Sequence, residues 1–388
     1  MDNYYCRLPF QALEIRHNGT VSNCCDYRPG LKTVNFLKNN LDEIFQSQEM
    51  SSIRNTMLNE NKVWPNCSRC WVKENQGIKS LRQFTQQDDE FFEDFNTNTY
   101  QIKELSLKPG NTCNQMCIIC DHVNSSMLLQ EDSIIFPNNI ETLNHHWWKD
   151  ENKWQQILDR CTHLTRVKIY GGEPLLMKET LYFIQKLIDL GLSKNITLHF
   201  ATNGSIINEN ILNMLKQFKL LEVIFSADGV GETFEYCRYP AKWDVFKQNL
   251  IDYKQYFKDN KLEHKVSVYY TVSIHNIFNI VESLEEYKHN MREPIDVHLN
   301  TVNQSYYHPK CLPLVLKHKL VDNIMGKWKG NYTTSQTYTD ILNIFNTQSD
   351  QDEDNFTEFL RVTRMRDKMR GNNITNIIPE LTEYYYEN

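Results

Sequence analysis

The 388-residue sequence lacks any run of about 18 consecutive apolar residues of the kind a membrane-spanning helix needs. Its first segment, MDNYYCRLPF, also lacks the basic start and following apolar run of an export signal. These two absences lead to the expectation of a soluble, cytoplasmic protein with no membrane partner. A basic block is missing as well, since the 42 lysines and arginines are spread along the chain and the net charge is -7. The electrostatic footprint of a dedicated nucleic-acid binder is therefore not there, which argues against a nucleic-acid partner. Internal repeats and low-complexity tracts are not found either. What the chain does have is 40% apolar and 12% aromatic residues, enough for a sizeable core, and a large complement of cysteine.

Eleven cysteines in a chain with no export signal should stay reduced, which points to metal ligation and away from disulfides. Eight fall in three groups: Cys6 with Cys24 and Cys25, Cys67 with Cys70, and Cys113 with Cys117 and Cys120. Cys161, Cys237 and Cys311 stand alone and read as small buried thiols.

The first hundred residues mix short apolar segments with turn signals such as His17-Asn18-Gly19 and Arg28-Pro29-Gly30, the pattern of a small metal-stapled module. From Ile102 the texture changes. Six strand-like runs (IKELSLK, RVKIYGG, ITLHFATNG, LEVIFSADG, KVSVYYTVS and PIDVHLNTV) alternate with helical stretches such as KETLYFIQKLIDLG and IINENILNMLKQF. Alternation of this kind implies an α/β fold with a parallel sheet and right-handed crossovers, and the count fits a partial (β/α)6 barrel. The expected division is an N-terminal module over 1–100, the barrel over 101–310 and a helical extension over 311–388. The segment 345–358 reads as an acidic surface loop before a last helix. Gly171, Gly172, Asn203, Gly204, Ser226, Asp228, His275 and Asn276 directly follow strands, where such folds build their active-site rim. The same residue types also serve ordinary turns and helix caps.

In KPGNTCNQMCIICDH, Cys113, Cys117 and Cys120 have the spacing C-x3-C-x2-C just after the first barrel strand. Three thiolates on so short a loop can hold three corners of a 4Fe–4S cluster and leave one iron free for a small molecule. A zinc site usually asks for a fourth ligand, and His122 lies too close to Cys120 to be a usual partner. With Gly171-Gly172-Glu173-Pro174 closing the next strand, the chain resembles the radical S-adenosylmethionine superfamily. That resemblance implies S-adenosylmethionine as cosubstrate, chelated to the free iron and cleaved reductively to a 5'-deoxyadenosyl radical. It further implies that Gly171, Gly172, Glu173 and Pro174 surround the methionine amino end, and that Asn203, Ser226 and Arg238 touch its ribose or carboxylate; Asp228 could instead be a helix cap. The residue before the last cysteine, often aromatic in the superfamily and packed near the adenine, is Ile119 here.

Upstream, Cys6, Gly19-x4-Cys24 and Cys67-x2-Cys70 arrive as one, one and a pair, enough to enclose a second cluster under the helix LDEIFQSQEMSSIRNTML. Cys25 could replace Cys24, and a four-cysteine zinc site has the same spacing. The arrangement resembles the auxiliary-cluster modules called SPASM and twitch, here placed before the barrel instead of after it. The implied ligands are Cys6, Cys24, Cys67 and Cys70.

The resemblance implies an oxidoreductase or peptide-modifying enzyme that takes hydrogen from a peptide or protein residue. A sugar-like or nucleotide substrate is the alternative, and a non-enzymatic iron–sulfur or zinc scaffold the second. It also implies an electron donor such as flavodoxin or ferredoxin. Tyr269, Tyr270, His298, Tyr306, Tyr307 and His308 lie on or beyond late strands and could face substrate, and Cys237 or Cys311 could donate hydrogen. Core or surface roles are the stronger reading for each of these.

Overall fold

The structure is a computed structural model that describes residues 4–60, 62–75, 77, 79–86, 101–140, 146–327 and 352–387. Its centre is one eight-stranded sheet in the order β2-β1-β3-β4-β5-β6-β7-β8. The strands are β1 (Ala12–Ile15), β2 (Val21–Ser22), β3 (Glu104–Leu107), β4 (Arg166–Ile169), β5 (Thr197–Thr202), β6 (Leu220–Ser226), β7 (His264–Val272) and β8 (Asp296–Thr301). β3 to β8 are the six strands expected from the sequence, mutually parallel and joined by helical crossovers. Among the described residues the sheet does not close, and β2 and β8 are its two edges.

The short strands β1 and β2 extend this sheet. β1 pairs in parallel with β3, Ala12 to Ile15 against Glu104 to Leu107, and antiparallel with β2. The turn between β1 and β2 uses Gly19 at φ +74, where an added Cβ would meet the Asn35 side chain at 2.3 Å, so only glycine fits.

Alternation along the strands separates two faces. One packs beneath the crossover helices. The helix Lys178–Asp189 buries Thr180, Phe183, Ile184 and Leu187, and the helix Trp243–Asp259 buries Trp243, Phe246, Leu250, Tyr253 and Phe257. Both join Leu198, Phe200, Val223 and Phe225 in the main core. The inner face is polar. In register across six strands stand Glu14, Ser106, Lys168, His199, Glu222 and Lys265. Lys168 pairs with Glu104 at 2.7 Å, and Glu222 with Arg166 at 2.9 Å, His199 at 3.2 Å and Lys265 at 3.3 Å.

Two segments depart from the sequence reading. The stretch expected as one helix over LDEIFQSQEMSSIRNTML breaks into Leu41–Phe45 and Gln48–Asn55, because Asn40 and Ser47 each cap a new start. The acidic segment is not a loop from Asp352 onward: Asp352, Glu353 and Asp354 open the helix Asp352–Arg370, where acids favour the positive helix end. Residues 345–351 lie outside the described residues. That helix forms a second core through Phe356, Phe359 and Val362 with Ile277, Tyr307, Leu316 and Ile378. No helix among the described residues is long and apolar enough to cross a membrane.

Burial alone would raise the Glu222 carboxyl, but His199, Arg166 and Lys265 overcome it and hold it down, from an ordinary 4.5 to about 2. A depressed acid stabilises the fold above its unfolded value and loses that contribution as pH falls toward its folded one. Glu222→Gln should therefore cost about 3 kcal/mol at neutral pH. In denaturant titrations the gap to the parent should shrink steadily between about pH 4.5 and about pH 2; a gap independent of pH would contradict this.

Candidate active site and auxiliary cysteine cluster

The loop carrying Cys113, Cys117 and Cys120 leaves the end of β3 and is fastened on every side. Its own Met116 and Ile118 N–H groups donate to the Tyr239 and Cys237 carbonyls at 2.6 and 2.8 Å. Ser125 Oγ donates to the Gln115 carbonyl at 2.7 Å and Asn111 Nδ2 to the His122 carbonyl at 2.8 Å. From the C-terminal helix, Arg366 donates to the Ile118 carbonyl and pairs with Asp132 at 3.1 Å, while Arg370 pairs with Glu131 at 2.6 Å. His122 is turned away from ligation: its backbone N–H and ring Nδ1 both meet Asp132, at 2.8 and 3.0 Å.

The Gly-Gly-Glu-Pro turn after β4 locks onto the same loop. The Glu173 N–H donates to the Thr112 carbonyl at 2.8 Å and the Gly172 N–H to the Asn124 carbonyl at 3.1 Å. Gly172 has φ +54, and a Cβ there would come within 2.3 Å of the Thr112 carbonyl oxygen. The missing side chain thus makes room for the cysteine loop itself, besides any ligand. Glu173 is fully buried. One of its oxygens accepts from Leu175 N–H (3.1 Å) and Thr202 Oγ (3.0 Å), the other from Asn203 N–H (2.7 Å). Burial pushes its carboxyl up to about 7, against the pull of these donors.

A cavity of about 610 Å³ opens at the carboxyl ends of the strands. Cys113, Cys117, Cys120 and Ile119 line it together with Gly171, Gly172, Asn203, Ser226 and Arg238. Glu173 and Pro174 do not line it; the glutamate braces the turn from behind. Asp228 is not a helix cap either. It pairs with Arg238 at 2.8 Å and accepts from Thr271 N–H at 2.9 Å, while Val230 occupies the cap position of the following helix. Sequence reasoning passed over Lys108, Tyr170 and the stretch Asn300 to Gln304, which also line the cavity. Lys108 and Asn300 sit at strand ends, so the rim rule could have found them. Lys108 has no ion-pair partner among the described residues, and burial lowers its pKa.

Burial raises all three loop thiols, Cys117 to about 11. Among the described residues no three His, Cys, Asp or Glu side chains converge on a single ion. A multi-iron cluster does not need that convergence, since each thiolate meets its own iron. An unpartnered donor points the same way: Arg238 Nε is buried without an acceptor, beside the Cys117 sulfur that Nη1 approaches at 3.6 Å. The donor set fits an iron–sulfur cluster with a small ligand next to it.

In the N-terminal module Cys6 and Cys70 are buried and Cys24 and Cys67 half-buried. Burial raises each thiol first; Cys24 then feels Cys25 ahead of Cys6 and Cys67, Cys67 feels Cys6 and Cys70, and Cys6 feels Cys70. Cys25 is exposed, and the charges acting on it are those of Asp26, then Glu14, Lys168 and Glu104. Of the remaining cysteines, Cys161, Cys237 and Cys311 are buried, and none of them lines the cavity. Tyr270 and Tyr307 are core residues, whereas Tyr269 stands beside His298 with their rings 5.1 Å apart on β7 and β8.

A family model described as the radical SAM superfamily matches residues 107–305, and one described as SPASM, an iron–sulfur cluster-binding domain, matches residues 6–71. No match to a curated protein was found. Among solved structures, anSMEcpe with bound AdoMet is 18% identical, over 70% of this chain and 62% of that one, with a TM-score of 0.32. Streptococcus suis SuiB is 14% identical, over 81% and 68%, with a TM-score of 0.37. The chain therefore spans less than two thirds of the length of the anSMEcpe structure.

Glu173→Gln places an amide NH2 against donors that now meet a carboxylate. It should destabilise the protein by about 1–3 kcal/mol, read as a lower thermal midpoint, whereas an unchanged midpoint would show that the turn is braced otherwise.

Proposed function

The chain belongs to the radical S-adenosylmethionine superfamily, and on that premise we propose that it is an enzyme that abstracts hydrogen from a peptide or protein residue. Its cofactors are S-adenosylmethionine, a 4Fe–4S cluster and an auxiliary iron–sulfur cluster. When bound, the first two supply a 5'-deoxyadenosyl radical. The observation that carries the reading is the shared cavity, in which three thiols stand with Gly171, Gly172, Asn203, Ser226 and Arg238 at one rim.

In this reading Cys113, Cys117 and Cys120 hold the catalytic cluster, and the two glycines, Asn203, Ser226 and Arg238 bind S-adenosylmethionine. Ile119 lines the same cavity and would pack near the adenine. Glu173 acts indirectly, by fixing the glycine turn against the cysteine loop through the Thr112 carbonyl, and Pro174 follows it in the same turn. Cys6, Cys24, Cys67 and Cys70 hold the auxiliary cluster. The division into a module over 1–100, a barrel over 101–310 and an extension over 311–388 belongs to the same proposal, as does a protein electron donor such as flavodoxin or ferredoxin.

An extended peptide is favoured by the edge strand β8. Among the described residues it pairs with β7 alone, and its end, Asn300 to Gln304, runs into the cavity wall. A peptide laid along that edge could satisfy free backbone groups and carry a residue to the cluster. The polar inner row of Lys168, His199 and Glu222 supports a second reading, a small sugar-like or nucleotide substrate.

Replacing Cys113, Cys117 and Cys120 together by Ala should abolish S-adenosylmethionine cleavage and leave about half of the bound iron, if both clusters are 4Fe–4S. Cleavage retained in that variant would refute the site. A short peptide encoded beside the gene for this chain should change mass when incubated with the reconstituted protein and S-adenosylmethionine. An unchanged peptide, with turnover of a sugar or nucleotide instead, would select the second reading.

A further inference from the structure

The three loop thiols do not share one environment. Cys117 Sγ has Arg238 Nη1 at 3.6 Å. Cys113 Sγ has neutral donors, Asn203 Nδ2 at 3.8 Å together with the Gln115 backbone N–H and the Ser125 side chain, and it feels the Arg238 charge less than Cys117 does. Cys120 stands beside Asp121, its sulfur 3.7 Å from that residue's carbonyl.

Arg238 is held as a fixed charge. It is 7% exposed and Asp228 is 1% exposed. Its Nη2 meets Asp228 Oδ2 at 2.8 Å, and its backbone N–H closes the helix Gly231–Cys237 on the Phe234 carbonyl at 2.9 Å. Asp228 is itself anchored, through Thr271 N–H on Oδ1 at 2.9 Å and Asn276 Nδ2 on its carbonyl at 3.2 Å. Asp228 is thus buried and tied to β7 and its following turn, and it holds the Arg238 side chain at the cavity wall.

We propose that Arg238 and Asp228 together set the reduction potential of the cluster held by Cys113, Cys117 and Cys120, with Arg238 as a charged donor to the Cys117 sulfur and Asp228 as its counterweight. The inference rests on the cluster assignment made above. Reduction adds one electron to the cluster and changes no bond. A buried positive charge beside a ligating sulfur favours that added negative charge, and a hydrogen bond to the sulfur draws density from it. Asp228, one guanidinium farther away, limits the effect. A cluster that must pass its electron to a sulfonium cannot be made too easy to reduce, so the ion pair balances ease of reduction against reducing power. Arg238 acts in this as a positioning and tuning residue, in addition to any contact with S-adenosylmethionine.

The test is a potential titration of the anaerobically reconstituted full chain, without substrate, following by electron paramagnetic resonance the cluster signal that changes on adding S-adenosylmethionine. Arg238→Gln should move its midpoint to more negative potential and Asp228→Asn to more positive potential, with Arg238→Lys staying nearer the parent. A purely structural role would not shift the two variants in opposite directions. Midpoints unchanged in both variants, or shifted the same way, would overturn the proposal. If Arg238→Gln fails to hold a cluster, Asp228→Asn decides alone: an upward shift supports the proposal, and no shift or a downward one overturns it. A parent with no S-adenosylmethionine-responsive signal would instead overturn the cluster assignment, and the tuning role with it.

Discussion

The rest of the structure depends on a four-residue ladder, the parallel pairing of Ala12 to Ile15 with Glu104 to Leu107. Because β1 is added to the first barrel strand, the N-terminal module shares a sheet with the barrel instead of hanging from a linker. The ladder fixes where both cysteine groups stand. Cys6 lies just before β1 and Cys24 just after β2, while the Cys113 loop leaves the far end of β3. Parallel register also aligns Glu14 with Ser106 and Lys168, so the module contributes to the polar inner wall. A module that precedes the barrel in sequence thus reaches the barrel wall by strand pairing, backed by Trp147 Nε1 on the Arg16 carbonyl at 2.8 Å and Lys153 Nζ on the Phe36 carbonyl at 2.6 Å.

A second constraint acts on the cysteine loop. Short, irregular backbone near a functional centre needs partners for its polar groups, and here they come from distant parts of the chain. Gly172 gives up its side chain to admit the Thr112 carbonyl, Cys237 and Tyr239 offer carbonyls to the loop, and Arg366 brings the C-terminal helix onto Ile118. Buried Asp132 links two of these supports, since it holds His122 and Arg366 together. The extension after the barrel is therefore part of the scaffold of the site.

Much of this was legible in the residues. The six strand runs, the three-cysteine spacing and the glycine pair announce the barrel and its rim, because period-two patterning and ligand spacing are local signals. The roles of Glu173 and Asp228 were not legible, because whether a carboxylate faces a cavity or braces a turn depends on where Thr202, Asn203 and Thr271 arrive from other strands. Cys24 and Cys25 are adjacent in sequence, and spacing alone does not tell them apart as ligands: their difference lies in burial, Cys24 being half-buried and Cys25 exposed. The strand pairing of β1 was hidden by its brevity, and the break in the helix after Leu41 by cap residues that read equally well as surface polarity inside one longer helix.

The central claim is that two iron–sulfur clusters are held by two separate sets of cysteines and that one of them cleaves S-adenosylmethionine. Anaerobic purification and reconstitution of the full chain, followed by iron and sulfide counting and chromatography for 5'-deoxyadenosine after adding S-adenosylmethionine and dithionite, tests it most directly. The account predicts about eight irons with matching sulfide and formation of 5'-deoxyadenosine. Zinc without sulfide, or iron without any 5'-deoxyadenosine, would contradict it.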